Sequence, residues 1–306
     1  MKMKKIFVLG SINIDLSINC EKFPVAGETV IGKDFLLNTG GKGANQAVAA
    51  AKSGGNVVFL GATGDDLWGK KLRNNLEGYG VDCRHVVTKP CSSGIAMIIV
   101  SGGENRIIIN PGANHHYQYE DFSEILKREA EPGDLFIAQL ETRIEVVEKG
   151  LELAKSLGMV TILNPAPAHS LSDSVFASTD YLIPNEIEAF SLAGMEPDLN
   201  KLADVFHFFL SKKVKSVIIT LGKMGCAYFE SGKVNYVKAV PVEAIDTTAA
   251  GDTFVGSFAV KLLESGSIAA AVNYANSASA LTTTKLGAQQ AIPTKEEIDC
   301  FLNCSH

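Results

Sequence analysis

The sequence predicts an α/β protein: a doubly wound, mostly parallel sheet flanked by helices, with a small β-sheet lid. Short segments that are apolar throughout alternate with longer segments whose apolar residues recur at helical spacing. Strands that are apolar on both faces are typical of parallel sheets covered by helices on each side. Two segments break the alternation, at about residues 14–38 and 93–110, and we expect them to form the lid.

Six apolar runs of strand length are predicted as buried strands: Lys5–Gly10, Asn56–Gly61, Asp134–Ala138, Val160–Asn164, Tyr181–Ile183 and Val214–Leu221. Six segments of helical period are predicted as helices: Ala44–Ser53, Trp68–Tyr79, Ile144–Leu157, Ala203–Ser211, Asp252–Ser265 and Ile268–Thr284. Together they predict a single domain over residues 1–306, although a length of 306 residues is also compatible with two domains.

The second lid segment is predicted as a hairpin, because Ile95–Val100 and Arg106–Ile109 flank the turn Ser101–Asn105. Both faces of Ile95–Val100 are apolar. We therefore expect one face to cover a ligand and the other to meet a second subunit.

Composition excludes several classes of protein. Hydrophobic residues make up 46% of the chain, which excludes a disordered or collagenous protein. The 28 basic residues against 34 acidic ones leave no positive excess, so no nucleic-acid partner is expected. Asn13 and Asp15 interrupt the first apolar run, and no other run is long and apolar enough to cross a membrane. Six cysteines without a C-x-x-C pair predict free thiols and a cytoplasmic location.

The glycine cluster Gly40–Gln46 comes directly before a predicted helix. Glycines there let the backbone approach a ligand closely, while Lys42 and Asn45 offer a cation and an amide beside the helix N-terminus. The alternative is a flexible loop in which asparagine caps the helix.

The segment Asp246–Gly256 contains the most informative pattern. Small residues at 249–251 leave the first amides of a helix uncovered, so they can hold an anion such as a transferring phosphate. Asp252 at the edge of this anion hole is suited to accept a proton from an attacking hydroxyl. The helix dipole is expected to lower the pKa of Asp252. The alternative is an ordinary first-turn acid on a helix entered through glycine.

Three weaker signals follow other predicted strands. Asn185 and Glu188 are spaced to lie on one helix face and suit a hydrated Mg²⁺, although Asn185 is equally typical of an N-cap. The run Thr220–Gly225 is expected either to receive a nucleotide or to form a plain hairpin turn. Glu141 follows a third strand and points to the same carboxyl edge of the sheet.

With these clusters in place, the chain resembles the phosphofructokinase-B-type carbohydrate kinases, and among them those that phosphorylate ribose. The resemblance runs nearly end to end and includes Gly10–Asp15, Asn110–Asn114, Asn164–Ala168 and Gly287–Gln289. It implies ATP-dependent phosphorylation of the 5-hydroxyl of D-ribose, giving ribose 5-phosphate, on an α/β fold whose β-lid pairs two subunits into a homodimer.

The resemblance also implies roles for individual residues. Catalysis would rest on Asp252 as general base with an anion hole at Ala249, Ala250, Gly251 and Asp252. The sugar would be bound by Asn13, Asp15, Gly41, Lys42, Asn45, Glu141 and Asp252. ATP would be bound by Asn185, Thr220, Gly222, Lys223, Gly225, Gly251 and Asn276.

Two metal ions are implied as well. Mg²⁺ would lie near Asn185 and Glu188. K⁺ would be held by the side chain of Asp246 and by backbone carbonyls at Thr248, Thr282, Lys285 and Gly287. The sequence departs from the family at Ala291, where a Ser or Thr is common, so one side-chain oxygen near the K⁺ is missing. It also departs at Asn276, often His in relatives, which would loosen the preference among nucleotides.

Other functions within and outside the family stay open. Deoxyribose, fructose or adenosine are alternative substrates, but the lid strands carry Ile, Met and Val where a nucleoside would want an aromatic platform. A non-catalytic sugar-binding homologue is a further alternative, and the intact Gly251–Asp252 pair argues against it.

Overall fold

The computed structural model describes residues 3–102 and 104–304. A nine-stranded sheet forms the body of the protein, with strand order β13-β12-β11-β10-β9-β8-β1-β4-β5. A four-stranded sheet lies apart from it, with order β3-β2-β6-β7. The strands are β1 Lys5–Leu9, β2 Asn13–Cys20, β3 Gly32–Gly40, β4 Asn56–Gly64, β5 Val86–Lys89, β6 Gly94–Ser101, β7 Glu104–Asn110, β8 Leu135–Ala138, β9 Val160–Leu163, β10 Tyr181–Leu182, β11 Ser216–Thr220, β12 Cys226–Glu230 and β13 Lys233–Val237.

Helices cover the large sheet and connect its strands. They are α1 Lys42–Lys52, α2 Leu67–Gly78, α3 Ala113–His116, α4 Ser123–Glu129, α5 Ile144–Ser156, α6 Asp173–Ala177, α7 Glu186–Ala193, α8 Leu202–Ser211, α9 Ala250–Ser265, α10 Ile268–Thr283 and α11 Lys295–Cys304, with short 3-10 turns at Tyr119–Asp121, Leu199–Lys201 and Gly222–Met224. Across the described ranges, no helix is long and apolar enough to cross a membrane.

The prediction of a doubly wound, mostly parallel sheet is confirmed. Seven neighbouring strands of the large sheet pair in parallel, in the spatial order β11-β10-β9-β8-β1-β4-β5. The hairpin β12–β13 adds two antiparallel strands at one edge. Consecutive residues of β1 alternate between two cores, because Ile6 and Val8 pack with α1 and α9 while Phe7 and Leu9 pack with α4 and α5. Both faces of the strand are therefore buried, as its continuous apolar run predicts.

The predicted strands and helices all form, with ends within three residues of the expected ones. Three strands were not predicted: β5, β12 and β13. Each of these is short and only partly buried, so its sequence lacks the continuous apolar run of a central strand. β5 and β13 are the two edge strands of the large sheet, and an edge strand needs only one apolar face, so their weak patterns are easily missed.

The small sheet contains the predicted hairpin, in which β6 and β7 pair antiparallel. The predicted turn residue Gly103 lies outside the described residues. Alternate residues of β6, Ala96, Ile98 and Val100, line a cavity, while Met97 on the opposite face is 54% exposed. We call this four-stranded element the small sheet below.

Parallel strands bring the candidate residues to one edge of the large sheet. Glu141, Asn164 and Asn185 follow the carboxyl ends of β8, β9 and β10, and Thr220 ends β11. Across from this edge, α9 packs against α1 at Gly256, where a Cβ would lie 2.5 Å from the carbonyl oxygen of Gln46. Only glycine allows this approach, and it brings α1 next to the first turn of α9.

Candidate active site

Two adjoining cavities lie at the carboxyl edge of the large sheet. The larger, about 610 Å³, is roofed by the small sheet. The smaller, about 240 Å³, lies along the ends of β9 to β11 and the start of α9. Lys42, Ala249 and Asp252 line both cavities. A group that passes from one cavity to the other must therefore pass these three residues.

Asp252 lies in the first turn of α9 with its carboxylate buried at the junction. Asn45 Nδ2 donates a hydrogen bond to Asp252 Oδ2 over 2.9 Å, and Gln46 Nε2 donates one to Asp252 Oδ1 over 3.0 Å. Two side-chain amides of α1 thus hold both carboxylate oxygens. This fixes the plane of the carboxylate relative to both cavities.

The expectation of a lowered pKa for Asp252 is wrong. Burial raises the pKa above the ordinary aspartate value, and the charge of Lys42 and the hydrogen bonds from Asn45 and Gln46 only partly offset it. Burial of the carboxylate penalises its charged form, and local sequence does not show this effect. A raised pKa makes Asp252 a stronger base than the sequence suggests.

The first turn of α9 presents backbone amides to the smaller cavity. Ala249, the N-cap, is in the left-handed conformation with φ 60°, which turns the chain sharply into the helix. The N–H of Ala250 is directed to Thr247 O over 3.3 Å. Within the described ranges, the N–H groups of Gly251 and Asp252 have no backbone acceptor, so they are the free donors of the predicted anion hole.

All of the residues expected to bind the sugar line the larger cavity: Asn13, Asp15, Gly41, Lys42, Asn45, Glu141 and Asp252. Two of them are held by neighbours. Asn114 Nδ2 donates to Asn13 Oδ1 over 2.8 Å, which leaves the Asn13 Nδ2 group as a donor. Glu141 Oε2 accepts from Ser11 Oγ over 2.6 Å and from the backbone N–H of Lys42 over 3.0 Å.

Four carboxylates and one ammonium set the electrostatics of the site. Burial raises the pKa of Asp15 to about 7, with further contributions from the charges of Glu141 and Asp252. Burial alone would lower the pKa of Lys42, but the charges of Asp252, Glu141 and Glu188 outweigh it, and the pKa is raised. Lys42 therefore stays cationic at the junction of the two cavities.

Residues expected to bind ATP divide into two groups. Asn185, Thr220 and Gly251 line the smaller cavity. Gly222, Lys223, Gly225 and Asn276 line neither cavity. The glycines and Lys223 lie in the turn between antiparallel strands β11 and β12, so the hairpin alternative describes the geometry of this segment. Asn276 Nδ2 donates to Lys238 O over 2.8 Å.

Asn185 is the N-cap of α7, as its alternative interpretation proposed. Its Oδ1 accepts from the N–H of Glu188 over 2.8 Å, and Glu188 Oε2 accepts from the N–H of Asn185 over 2.9 Å. This capping box holds both side chains at the smaller cavity. Burial raises the pKa of Glu188, although a hydrogen bond from Asn185 and the charge of Lys42 oppose it.

Asp246 closes a loop beside the start of α9. Its Oδ1 accepts from the N–H and hydroxyl of Thr248 over 2.9 and 2.6 Å, and its Oδ2 accepts from the N–H of Gly287 over 2.9 Å. Burial would raise the pKa of Asp246, but these hydrogen bonds outweigh it and the pKa is lowered. The carboxylate is thus ionised between two loops that carry expected K⁺ ligands.

The two remaining expected K⁺ ligands, Thr282 and Lys285, precede Gly287 in sequence and line neither cavity. Lys285 Nζ forms a salt bridge with Glu297 over 2.7 Å, and Thr282 Oγ1 bonds to Thr253 Oγ1 over 3.0 Å. The described residues contain no cluster of three His, Cys, Asp or Glu side chains that could hold a metal. The K⁺ site implied by the resemblance would instead use backbone carbonyls and the single carboxylate of Asp246.

Several polar residues at the site were not assigned a role from the sequence. They are Ser11, Gln46, Asn114, Gln139, Asn164 and Gln289. Most of them stand within the motifs of the family resemblance or directly beside a predicted strand end. A useful signal would have been their type, because buried amide side chains must find hydrogen-bond partners and so gather around a buried carboxylate.

Comparison with known proteins places this geometry in a family. The sequence profile described as "pfkB family carbohydrate kinase" matches residues 3–295. A ribokinase of Haemophilus influenzae is 41% identical, with 98% of each chain covered. A deoxyribokinase of Salmonella typhi is 35% identical, with 97% of this chain and 98% of that one covered. The Arabidopsis thaliana ribokinase structure complexed with ribose and ATP is 30% identical, covers 98% of this chain and 99% of its own, and superposes with a TM-score of 0.91. The chain belongs to the pfkB family of carbohydrate kinases.

Proposed function

We propose that this protein is an ATP-dependent kinase that phosphorylates the 5-hydroxyl of D-ribose to give ribose 5-phosphate. The observation that carries the proposal is the junction of two cavities at Lys42, Ala249 and Asp252. One cavity offers polar partners for a sugar and the other offers helix amides for phosphates. The similar Arabidopsis ribokinase, solved with ribose and ATP, supports this pair of ligands.

The larger cavity suits a small molecule with several hydroxyls. Asn13 and Asn45 supply amide donors, and Asp15 and Glu141 supply carboxylate acceptors. The roof is apolar at Ala96, Ile98 and Ile107, and the small sheet also contributes the polar residues Ser17, Asn38, Glu104 and Asn105. A sugar is therefore expected to bind by its hydroxyls to the floor, with the small sheet keeping water out.

Asp252 is the proposed general base. Its carboxylate would accept the proton of the 5-hydroxyl as the hydroxyl oxygen attacks the γ-phosphorus of ATP, while the bond from the γ-phosphorus to the bridging oxygen breaks and ADP leaves. Asn45 and Gln46 hold the carboxylate in place, so little reorganisation is needed when the proton moves. The raised pKa makes this carboxylate a stronger base than an ordinary aspartate.

The developing charge on the transferring phosphoryl group would be stabilised by the N–H groups of Gly251 and Asp252 at the start of α9. Lys42 adds a buried cation at the same junction. The family resemblance also implies that Ala249 and Ala250 belong to this anion hole. Of these, Ala250 would have to release Thr247 O before its N–H could contact the phosphate.

ATP is proposed to extend from the anion hole along the smaller cavity past Asn185 and Thr220. The turn Gly222–Met224 and Asn276 would then have to approach the nucleotide from outside the present cavity. Lys223 and Gly225 are part of that proposal. Gly222 and Lys223 are exposed and Gly225 is buried, so a base or ribose would contact the exposed part of the turn at the sheet edge.

A Mg²⁺ ion bound to ATP fits the smaller cavity. Glu188 and Asn185 present oxygen atoms there, which is the ligand type that Mg²⁺ prefers, and the capping box keeps them in place. The ion would neutralise phosphate charge during transfer. Glu188 and Asn185 would hold its coordinated water molecules rather than bind it directly.

A K⁺ ion fits the Asp246 loop. The Asp246 carboxylate is ionised, and the hydrogen bond from Gly287 brings the two loops with the implied carbonyl ligands Thr248, Thr282, Lys285 and Gly287 toward each other. The ion would supply positive charge beside the anion hole. Ala291 offers no side-chain oxygen here, so backbone carbonyls and Asp246 would have to suffice.

We also propose a homodimer formed through the small sheet, and a single domain with that sheet as its lid. Met97 and Ile108 pair on the face of this sheet opposite the cavity, and both are more than half exposed, which is unusual for neighbouring apolar side chains. Sedimentation of the wild type is expected to give a dimer, and Ile108→Asp a monomer. Tyr236→Asp, on the far edge of the large sheet, is the control and should stay dimeric.

A cytoplasmic location is supported by the cysteines. Within the described ranges Cys20, Cys83, Cys91, Cys226 and Cys300 are free thiols. Free thiols persist in reducing compartments.

Deoxyribose is a second candidate substrate, favoured by one specific observation. The deoxyribokinase relative is 35% identical over nearly the whole chain, which is close to the 41% of the ribokinase relative. Sequence identity alone therefore does not decide whether ribose or deoxyribose is the substrate. The larger cavity offers both amide donors and carboxylate acceptors, so we expect the additional 2-hydroxyl of ribose to find a polar partner there.

The proposal is tested by a coupled ADP-release assay on ribose, 2-deoxyribose, fructose and adenosine. We expect the highest kcat/KM for ribose. The product should show a phosphorus signal coupled to the two C5 protons in NMR, which identifies the 5-phosphate. Equal or better turnover of another substrate would replace ribose in the proposal, and no turnover of any would remove the kinase assignment.

A further inference from the structure

Gln289 is a buried polar residue that the mechanism above does not use. Only 1% of its surface is exposed, and it lies in the loop after α10, two residues beyond Gly287. Lys52 Nζ donates to its backbone oxygen over 3.3 Å and to Ile292 O over 2.6 Å, which ties this loop to α1. The side chain therefore starts from a fixed backbone.

The side-chain amide of Gln289 joins three elements. Its Oε1 accepts from Thr39 Oγ1 over 2.9 Å and from Asn75 Nδ2 over 2.6 Å. Its Nε2 donates to Asn45 Oδ1 over 3.2 Å, and Asn45 Nδ2 donates to Asp252 Oδ2 over 2.9 Å. The bonds run in one direction and end at a carboxylate, which can only accept.

This direction fixes the orientation of the Asn45 amide. With Gln289 as donor, the Asn45 oxygen faces Gln289 and the Asn45 nitrogen faces Asp252. If the amide turned over, its carbonyl oxygen would lie against the carboxylate of Asp252 and repel it. Gln289 thus selects the orientation in which Asn45 can hold Asp252.

The two donors to Gln289 Oε1 come from different parts of the fold. Asn75 belongs to α2, which packs on the large sheet. Thr39 belongs to β3 of the small sheet and directly precedes Gly40 and Gly41, where Gly41 has φ 91°. Gln289 therefore keeps a donor from the main body whatever the small sheet does, and gains a second when Thr39 is in place.

We infer that Gln289 is a positioning residue that couples the small sheet to Asp252 through Asn45. When Thr39 donates its hydrogen bond, Gln289 Oε1 accepts from both Thr39 and Asn75. The Gln289 amide is then fixed, and it holds Asn45 and Asp252 in the orientation for proton transfer. The inference rests on the proposed function in one respect, that Asp252 is the base.

The sequence provides a matched control at the next residue. Gln290 also reaches the small sheet, through Asn38 Oδ1 over 3.3 Å, but it is exposed and does not contact Asn45. Gln289→Met and Gln290→Met thus make the same chemical change one residue apart. We expect Gln289→Met to lower kcat about 10-fold or more, since a single lost hydrogen bond already accounts for about 2- to 10-fold, and Gln290→Met to leave kcat unchanged.

Two further readouts separate positioning from general damage. The KM for ATP should stay unchanged in Gln289→Met, because Thr39, Asn45, Asn75 and Gln289 do not line the smaller cavity. The acid limb of the kcat profile should move to higher pH, because the Asn45 hydrogen bond lowers the pKa of Asp252 and would be weakened. Equal kcat in the two methionine variants would overturn the inference.

The link to the small sheet is tested by a double-mutant cycle with Thr39→Val. We expect Thr39→Val alone to lower kcat about 2- to 10-fold. Thr39→Ser, which keeps the hydroxyl donor, should retain the wild-type kcat. In the Gln289→Met background, Thr39→Val should have little further effect on kcat. Additive effects would refute the coupling. If thermal melting shows that Gln289→Met does not fold, the Thr39→Val and Thr39→Ser pair decides alone: equal kcat overturns the inference.

All variants are compared on whichever sugar the wild type phosphorylates fastest. A sugar other than ribose would then revise the proposed function, while Gln289 stands or falls on the same comparison.

Discussion

Asn45 and Asp252 are 207 residues apart in sequence, yet Asn45 Nδ2 donates a 2.9 Å hydrogen bond to Asp252 Oδ2. Gly256 makes this contact possible, since a Cβ there would collide with the backbone of α1. The first turns of α1 and α9 are thereby held together, one presenting amide donors and the other a buried carboxylate.

Asp252→Asn should lower kcat by more than about 100-fold with little change in the dissociation constant for ribose, because it removes the base and keeps the shape. Stopped-assay turnover and calorimetric binding measure the two quantities. Asp204→Asn, on the exposed face of α8, is the matched control. Near-normal turnover of Asp252→Asn would show that another group takes the proton.

Lys42→Met should lower kcat by about 100- to 1000-fold, because it removes a preorganised cation beside the transferring phosphate. The KM for ATP should rise as well. Since the charge of Lys42 lowers the pKa of Asp252, the acid limb of the activity profile should also move to higher pH. Lys70→Met, an exposed lysine on α2, should behave as wild type. A Lys42→Met enzyme with unchanged kcat would contradict the role.

Asp15 should make ribose binding depend on pH near neutrality. Its pKa in the free enzyme is about 7, so below this pH the carboxyl is protonated and has lost its charge as an acceptor. Affinity should therefore fall as pH falls through 7. Calorimetry at pH 6 in buffers of different ionisation enthalpy should show release of about one proton per ribose. Asp15→Asn should bind weakly and release none.

The same pKa predicts an effect on stability. The folded-state pKa of Asp15 is raised above its unfolded value, so the folded state binds a proton that the unfolded state lacks between about pH 4 and 7. Stability should therefore fall as pH rises through this window, and the penalty is complete above pH 7. Asp15→Asn should melt at a higher temperature than wild type at pH 8 and lose that advantage at pH 4. Equal melting at both values would contradict it.

Ala249 should tolerate glycine but not valine. Its φ of 60° is a left-handed conformation that costs an L-residue about 1–2 kcal/mol and a β-branched residue more. Ala249→Gly should keep kcat within about twofold, whereas Ala249→Val should lower kcat about 10-fold or more by displacing the adjacent amides. Ala203→Val, at an exposed helical position, is the control for the added methyl groups. An active Ala249→Val enzyme would show that the turn can rearrange.

Replacing K⁺ by Na⁺ at constant ionic strength should lower kcat several-fold if the Asp246 loop binds K⁺. Asp246→Asn should lower kcat in K⁺ and abolish the difference between the two ions. Initial rates in the coupled assay measure both effects. Equal rates of the wild type in the two salts would remove K⁺ from the proposed function.

The sequence was informative where one residue type can satisfy a local requirement. Lys42 and Asp252 were identified because each stands beside small residues at the start of a helix, where the chain leaves amides uncovered. Gln46 and Gln289 gave no such signal, because an amide side chain has no preferred role until its partners are known. The predicted direction of the Asp252 pKa shift is wrong for the same reason. Local sequence shows the helix dipole, which lowers the pKa, and does not show burial, which raises it.

By itself the sequence determined the alternation of strands and helices, the edge at which the ligands bind and the motifs that carry the family. Periodicity and glycine placement are local properties, so they can be read along the chain. Only the tertiary structure decided which amides hold Asp252 and that Gln289, which accepts from Thr39 and Asn75, donates to Asn45. It also decided that burial raises the pKa of Asp15 to about 7. Hydrogen bonds and desolvation depend on distances between residues far apart in sequence, and only the packing of α1 against α9 sets those distances.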